Sequence, residues 1–261
     1  MADILEQELQ DSVLELTINR EDAGNALSNE VIGLLNDSLM QHRSQPDLKC
    51  VLIKGSGEKF FVAGGDLKEL TSVREDYQTE AMALNGRAML DQIRYFPVPV
   101  IAKINGYALG GGAELAMACD YRIACETAKF GFIHSSLGIT TAWGGMIDLI
   151  ESIGSSKALS ILIEGKMLDA NEACQAGIIQ EVEKTHEALD LRINKLKKIY
   201  QATPIQVIRG IKAVTMGHKK YIHENLKEIE LNSFKKTWMS DEHLSLIHIS
   251  EPTRLRRISY A

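Results

Sequence analysis

The sequence has no hydrophobic run long enough to cross a membrane. Its 261 residues contain no stretch of about 18 consecutive apolar residues, the length that a membrane-spanning helix needs. The opening segment, MADILEQELQ, is acidic and lacks the apolar core of a secretory signal. We therefore expect a cytoplasmic protein that does not enter a membrane.

An excess of basic residues is also missing. The 29 lysines and arginines are outnumbered by 35 aspartates and glutamates, and the formal net charge is -6. Such a chain has no general positive field with which to displace the counterions of a phosphate backbone. This charge balance argues against a general nucleic-acid-binding protein.

Cysteine is scarce, and its spacing fits neither a metal site nor a disulfide framework. The four cysteines, Cys50, Cys119, Cys125 and Cys174, lie far apart in apolar segments, with no CxxC or Cys/His ligand spacing. We expect buried free thiols and no bound metal. With 45% apolar residues, the composition is that of one large globular domain, or of one domain with an appendage.

Strand and helix patterns alternate in the first part of the chain. Ser12–Ile18 alternates apolar and polar residues like a half-buried strand, Ser28 is placed to cap a helix, and Cys50–Lys54 is a short apolar strand. Strand, helix and strand with short connections predict a partly parallel sheet. The polar segment 72–80 is predicted to be a surface loop or the edge of a helix.

Helical patterns dominate the last part of the chain. Ile178–Val182 is predicted to be the last strand, and a helical pattern follows from about Glu187 to Trp238. Thr203-Pro204 and Gly217 are expected to break that pattern. The sequence therefore predicts an α/β core followed by a helical C-terminal region.

The strongest candidate for a functional site is the stretch 98–120, VPVIAKINGYALGGGAELAMACD. A strand-like run ends at Asn105-Gly106, three glycines follow at 110–112, and a helical run with the single carboxylate Glu114 comes next. Glycines let a backbone approach a ligand closely, and the unpaired N–H groups at a helix start favour an anion. This pattern indicates an oxyanion site with a general acid or base beside it. A plain strand-to-helix connection with tight packing is the alternative.

A second strand–glycine–helix passage lies upstream. It reads FFVAGGDLKEL and spans Phe60–Leu70, with Asp66 placed to cap the turn after the glycines. Two such passages in one chain strengthen the case for a site built from backbone N–H groups.

Taken together, the motifs of the chain resemble the crotonase superfamily, also called the enoyl-CoA hydratase/isomerase family. The similarity extends over most of residues 12–240, and the motifs occur in the order of that family. They are NALS (Asn25–Ser28), FFVAGGDLKEL (Phe60–Leu70), PVIAKINGYALGGGAELAMACDYRIA (Pro99–Ala124), KFGFIHSSLGITTAWGG (Lys129–Gly145) and DANEACQAGIIQEV (Asp169–Val182).

The resemblance implies an α/β spiral of ββα units with a C-terminal helical region that forms trimers, which often pair into hexamers. It divides the chain into a spiral core at 1–185 and a helical region at 186–243. The remaining residues 244–261, LSLIHISEPTRLRRISYA, depart from the family pattern and resemble translated sequencing-adapter read-through. We expect this tail to be foreign to the fold and poorly packed.

The resemblance also implies an acyl-CoA substrate whose thioester becomes an enolate, with no cofactor beyond the CoA that the substrate carries. The charged oxygen would bind the backbone N–H groups of Gly65 and Gly111. Contacts with CoA and the acyl group are implied for other residues of the two passages. These are Ala63, Gly64, Asp66, Lys68 and Gly110, with Lys68 near a phosphate; a solvated surface lysine is the alternative for Lys68.

One position departs from the hydratase pattern. Hydratases of this family use two glutamates on one water; Glu114 matches the first, and His134 stands where the second would be. An unperturbed histidine side chain titrates near pH 6.5, within reach of neutral pH, so a histidine at position 134 is a candidate partner for proton transfer. A core histidine without a catalytic role is the alternative.

The segment FIHSSLGITTAWGG is similar to the ethylmalonyl-CoA decarboxylase branch of the family. Decarboxylation needs no activated water, only an oxyanion hole and one proton donor, for which Glu114 and His134 are the candidates. Trp143 would wall off the acyl pocket, with simple packing as the alternative. Three hypotheses follow: a lyase that decarboxylates ethylmalonyl- or methylmalonyl-CoA, an enoyl-CoA hydratase or isomerase with a modified second acid/base, and a non-catalytic CoA-binding or assembly protein.

Overall fold

A computed structural model describes residues 4–249, and two β-sheets form its centre. The larger sheet has the strand order β1-β2-β3-β5-β7-β10, and the smaller one β4-β6-β8-β9. The strands are β1 (Leu5–Gln10), β2 (Val13–Ile18), β3 (Cys50–Gly55), β4 (Phe60–Val62), β5 (Val100–Ile104), β6 (Tyr107–Leu109), β7 (Tyr121–Cys125), β8 (Lys129–Gly131), β9 (Leu168–Asp169) and β10 (Glu181–Glu183).

Helices surround these sheets. Ser28 accepts a hydrogen bond from the N–H of Val31, as expected of a helix cap. The helices are α1 (Asn29–His42), α2 (Leu67–Leu70), α3 (Asp76–Arg94), α4 (Gly111–Ala118), α5 (Gly145–Ile153), α6 (Ser155–Glu164), α7 (Ala170–Ala176), α8 (His186–Ala202), α9 (Ile205–Trp238) and α10 (Asp241–Ile249).

The larger sheet is parallel from β2 to β10, and only β1 pairs antiparallel with its neighbour. Its inner strands, such as CVLIKG in β3, are buried along almost their whole length. Such apolar runs are typical of parallel strands that are covered on both faces. The predicted partly parallel sheet is confirmed.

The chain repeats a strand–strand–helix unit. In each of three successive units the first strand (β3, β5, β7) enters the large sheet and the second (β4, β6, β8) enters the small one. Because β4, β6 and β8 are parallel neighbours, equivalent points of successive units come to lie side by side. This is the predicted α/β spiral with a C-terminal helical region.

Several predicted boundaries were wrong. Helix α9 runs through Gly217 without a break, because one glycine costs an otherwise well-packed helix only about 1 kcal/mol. The last strand of the larger sheet begins at Glu181 and not at Ile178, since Ile178 and Ile179 turn back onto the end of α7. Residues 76–80 of the segment predicted to be a surface loop or the edge of a helix belong to α3, which begins after a capping box at Glu75, so the second alternative holds there.

The last described helix crosses the predicted start of the tail. Helix α10 spans Asp241–Ile249, and its His243 is buried against Trp238 with 4.4 Å between ring centroids. The prediction for residues 250–261 lies outside the described residues. Within residues 4–249, no helix is both long and apolar enough to cross a membrane.

Candidate active site

The two strand–glycine–helix passages meet at one place. Strands β4 and β6 are adjacent, so the glycines that follow each strand also lie together. A Cβ placed on Gly111 would lie 3.4 Å from the backbone nitrogen of Gly65. The two N–H groups predicted to form an oxyanion hole are therefore neighbours in space.

Both passages depend on backbone conformations that glycine adopts easily. Gly64 has φ of 127° and Gly110 has φ of 52°, each one residue before the N–H in question. Gly111 is the first residue of α4, so its N–H has no acceptor inside the helix. Among the hydrogen bonds of residues 4–249, neither the Gly65 nor the Gly111 N–H is a donor. Both groups are available to a ligand.

Glu114 lies one turn into α4 and is 2% exposed. Its Oε2 accepts two backbone hydrogen bonds, from the N–H of Trp143 and the N–H of Gly145, each 2.9 Å long. Such bonds stabilise an ionised carboxylate that is buried. Glu114 is thus held in one position beside the glycine pair.

His134 lies on the other oxygen of Glu114. Its Nε2 is 3.3 Å from Glu114 Oε1, and the residue is 9% exposed. Its Nδ1 is buried and has no hydrogen-bond partner among the described residues. The two residues predicted to move protons are therefore in direct contact, as a carboxylate and an imidazole.

Trp143 is 6% exposed and lies between two glycines. A Cβ on Gly111 would approach its Cζ3 to 2.5 Å, and a Cβ on Gly86 would approach its Nε1 to 2.2 Å. The indole therefore packs between α3 and α4 and against the oxyanion glycine. This contact makes Trp143 a packed core residue next to Gly111, and its role as a wall of the acyl pocket stays a prediction.

Some residues of the segment predicted to contact CoA make hydrogen bonds within the fold, and others are exposed. The Asp66 carboxylate pairs with Arg20 at 2.9 Å and caps α2 through the N–H of Lys68. Gly64 accepts from the N–H of Leu27, whereas the Lys68 side chain is exposed. Asp66 is thus tied into the fold by its side chain and by its backbone, because its N–H donates to Leu27 O and its carbonyl accepts from the first turn of α2.

A buried ion-pair cluster supports the loop that holds Glu114. Arg94 donates to Trp143 O at 2.7 Å and to Asp148 Oδ2 at 2.8 Å, and His223 of α9 lies 3.0 Å from Asp148 Oδ1. Burial alone would raise the pKa of Asp148. The charge of Arg94, the hydrogen bond to His223 and the charge of Lys219 outweigh burial and hold that pKa well below its usual value.

A second buried pair lies on the same loop. Arg87 pairs with Glu230 of α9 and donates to Ala142 O at 3.2 Å, while the Thr141 hydroxyl donates to Glu230 at 2.5 Å. Burial and the nearby charge of Glu114 raise the pKa of Glu230, against the pull of Arg87.

Sequence reasoning missed both clusters. Arg87 and Arg94 are seven residues apart, on the face of α3 that also buries Ala83 and Leu90. Arginines at core-facing positions of a helix are the signal that would have revealed them, because a buried guanidinium requires a carboxylate partner.

Comparison with known proteins agrees with this arrangement. A solved structure of enoyl-CoA hydratase from Bacillus halodurans matches 95% of this chain and all of its own with a TM-score of 0.87, at 24% identity, which shows the fold. A Bacillus subtilis protein named probable enoyl-CoA hydratase is 32% identical over 88% of both chains. A crotonyl-CoA hydratase of Syntrophomonas wolfei is 38% identical over 71% of this chain and 70% of its own.

An α/β spiral with paired glycine N–H groups beside a buried carboxylate defines the class of enzyme. The sequence model of the enoyl-CoA hydratase/isomerase family matches residues 8–249. The chain belongs to that family.

Proposed function

We propose that the protein forms and protonates a thioester enolate on an acyl-CoA, and that it does so by decarboxylating an alkylmalonyl-CoA such as ethylmalonyl- or methylmalonyl-CoA. The observation that carries this proposal is the partner of Glu114. Its free oxygen faces His134 at 3.3 Å and not a second carboxylate. The other nearby buried carboxylate, Glu230, is occupied by Arg87 and Thr141.

The proposed steps use the groups that the fold brings together. The bond between the α-carbon and the carboxylate breaks, CO2 leaves, and the electron pair moves into the thioester carbonyl. The resulting enolate oxygen binds the N–H groups of Gly65 and Gly111. A proton from the Glu114–His134 pair then reaches the α-carbon, and solvent replaces that proton. The reaction uses no cofactor beyond the CoA of the substrate.

Two features favour this reaction over the addition of water. Decarboxylation needs one proton donor, whereas hydration needs both a base for the water and an acid for the α-carbon. Trp143 packs against Gly111 and so lies beside the proposed oxyanion hole. In this proposal the indole keeps the acyl pocket small and excludes water, which suits a short branched acyl group and favours loss of a charged carboxylate.

Hydration of a short enoyl-CoA is the second candidate. It is favoured by the names of the relatives, among them the crotonyl-CoA hydratase that is 38% identical. In that case His134 would replace the second glutamate as the partner of the water.

A substrate comparison separates the two candidates. The purified protein is incubated with ethylmalonyl-CoA, methylmalonyl-CoA and crotonyl-CoA, and the products are followed by mass. We expect loss of CO2 from at least one malonyl thioester, faster than hydration of crotonyl-CoA. Fast hydration with no loss of CO2 would reject the decarboxylase proposal.

The role of Glu114 has its own test. Glu114→Gln keeps the shape of the side chain but removes its charge, and we expect turnover to fall about 100- to 10,000-fold. Full activity of this variant on the active substrate would show that Glu114 is not the proton-transfer residue.

Assembly is proposed on a different part of the molecule. Helix α9 exposes a stripe of large apolar side chains at spacings of three, four and seven residues, which is one helix face. We propose that copies of the chain cover this stripe in a trimer or hexamer. The stripe consists of Val207, Ile211, Val214 and Tyr221.

A further inference from the structure

Both N–H groups that hold Glu114 belong to peptide units whose carbonyl ends are also held. The N–H of Trp143 shares a peptide unit with the carbonyl of Ala142, and the N–H of Gly145 shares one with the carbonyl of Gly144. In a trans peptide unit the C=O and N–H point in opposite directions, and residues 4–249 contain no cis peptide bond. A donor that fixes the carbonyl therefore fixes the direction of the N–H.

The two units are held in different ways. Gly144 O accepts a 3.0 Å hydrogen bond from the N–H of Asp148, so the first turn of α5 holds the Gly144–Gly145 unit. The Ala142–Trp143 unit precedes that helix. Its carbonyl instead accepts from Arg87 Nη2 at 3.2 Å.

Arg87 is itself held in a closed ring of contacts. Its side chain is 8% exposed, and its Nη2 pairs with Glu230, whose side chain is 1% exposed. The other oxygen of Glu230 accepts from Thr141, the residue before Ala142. A buried guanidinium needs such a partner, because an unpaired charge is strongly disfavoured in the interior.

We propose that Arg87 is a positioning residue: it acts through the Ala142–Trp143 peptide unit to aim the Trp143 N–H at Glu114, and Glu230 keeps it in place. A cation at the carbonyl also polarises the peptide unit and strengthens its N–H as a donor. This inference rests on the catalytic role proposed for Glu114, but not on which acyl-CoA is the substrate.

The main test is Arg87→Met, assayed on the acyl-CoA that the wild type turns over. Loss of this support should lower kcat about 10- to 100-fold, the usual range for a hydrogen bond to a charged group. KM should stay within about threefold, because the partners of Arg87 are Ala142 and Glu230, and neither is proposed to bind CoA. A change in KM alone would contradict the proposal.

A double variant separates positioning from folding. Arg87→Met alone leaves Glu230 as a buried, unpaired charge and should lower the melting temperature. Adding Glu230→Gln removes that charge, so stability should recover while kcat stays low. Recovery of kcat together with stability would overturn the proposal.

Two further variants test whether the loss of kcat is specific to the guanidinium group of Arg87. Arg87→Lys keeps the buried ion pair and the fold, but a single ammonium group lacks the fork of a guanidinium, so kcat should still fall several-fold. The matched control is Lys197→Met, which breaks an ion pair between α8 and Glu15 of β2 whose side chains are 17% and 23% exposed. It should lower the melting temperature and leave kcat unchanged.

A measurement without substrate tests the positioning role of Arg87 independently of the proposed function. Hydrogen exchange at the Trp143 amide should be faster in the double variant than in the wild type, and unchanged in Lys197→Met. Unchanged exchange at Trp143 in the double variant would overturn the inference. A fully active Glu114→Gln variant would instead overturn the proposed role of Glu114.

Discussion

The two sides of the candidate site are built in different ways. On one side, Gly65 and Gly111 offer backbone N–H groups from two equivalent passages of the spiral. On the other side, Glu114 is held by a loop whose position depends on buried charges of α3, α5 and α9. The first side needs little more than glycines at the ends of two adjacent strands. The second needs partners that are up to 143 residues apart in the sequence.

This difference has a chemical consequence. An oxyanion hole that consists of backbone N–H groups changes little as side chains diverge, because each residue supplies the same N–H group. Proton transfer depends on which side chains face each other, and in the proposed function His134 in place of a carboxylate changes the reaction. We call Gly65 and Gly111 the glycine side, and Glu114 with the 141–145 loop the loop side. We infer that the glycine side determines the class of reaction, and that the loop side determines which reaction of that class takes place.

The largest predicted effect on stability comes from removing a buried charge that supports the loop side. Asp148→Asn removes the buried partner of Arg94 and His223, and we expect it to lower the free energy of unfolding by about 3–5 kcal/mol. Urea unfolding at neutral pH measures this loss. The control is Asp91→Asn, which removes another carboxylate paired with Arg94 at 2.8 Å; its side chain is 33% exposed, and a loss below about 1 kcal/mol is expected.

The pH dependence of that loss follows from the depressed pKa of Asp148 in the folded protein. A group whose pKa is lower in the folded state stabilises the fold above its unfolded pKa, about 3.9 for aspartate. The difference between the wild type and Asp148→Asn should therefore be constant from pH 8 to about pH 5. It should shrink as the pH falls below about 4. A difference that widens on acidification would contradict the ion-pair explanation.

The substitution Gly111→Ala tests the glycine side by adding a side chain where the two passages meet. The new Cβ would lie 2.5 Å from the indole of Trp143, so either α4 or the indole must move. A shift of about 1 Å at a reacting centre costs about 100-fold in rate, and we expect turnover to fall by that amount. Because alanine keeps the N–H, adding Trp143→Leu should relieve the contact and recover part of the rate. Wild-type turnover of Gly111→Ala would show that this side tolerates a side chain.

His134→Glu sharpens the comparison by restoring a second carboxylate. If the loop side sets the reaction, this variant should hydrate crotonyl-CoA at least about tenfold faster than the wild type and lose decarboxylation. His134→Gln is the matched control, similar in size but without an acid, and should gain no hydration. A wild type that hydrates faster than His134→Glu would indicate that His134 already serves hydration.

The difference between the two sides of the site also explains which of its features could be predicted from the sequence. The glycine passages and Glu114 could be singled out because each lies in a short pattern of strand, glycine and helix, whereas His134 was singled out only through the resemblance to the hydratase pattern. The local alternation of apolar strands and capped helices predicted an α/β core with a helical C-terminal region, and the family resemblance implied the spiral. The support of the loop was missed because Arg87 and Glu230 are far apart along the chain, and only the packing of α9 against α3 brings them together.

The smallest predicted effect concerns a glycine that has no role at the site. Gly217 was predicted to break a helix, yet α9 continues through it, and a Cβ there would meet no atom within 4 Å. Gly217→Ala should therefore stabilise the protein by about 0.5–1 kcal/mol, because alanine loses less backbone entropy on folding.

Thermal unfolding should show this gain as a rise of roughly 2–4 °C per kcal/mol in a chain of this size. Gly144→Ala is the contrasting variant: its φ is 94°, and its Cβ would lie 2.7 Å from Arg94 Nη2 and 2.9 Å from His223. It should destabilise the protein by about 1–3 kcal/mol. Equal effects at the two positions would contradict the distinction between a glycine required by the site and one that the helix merely tolerates.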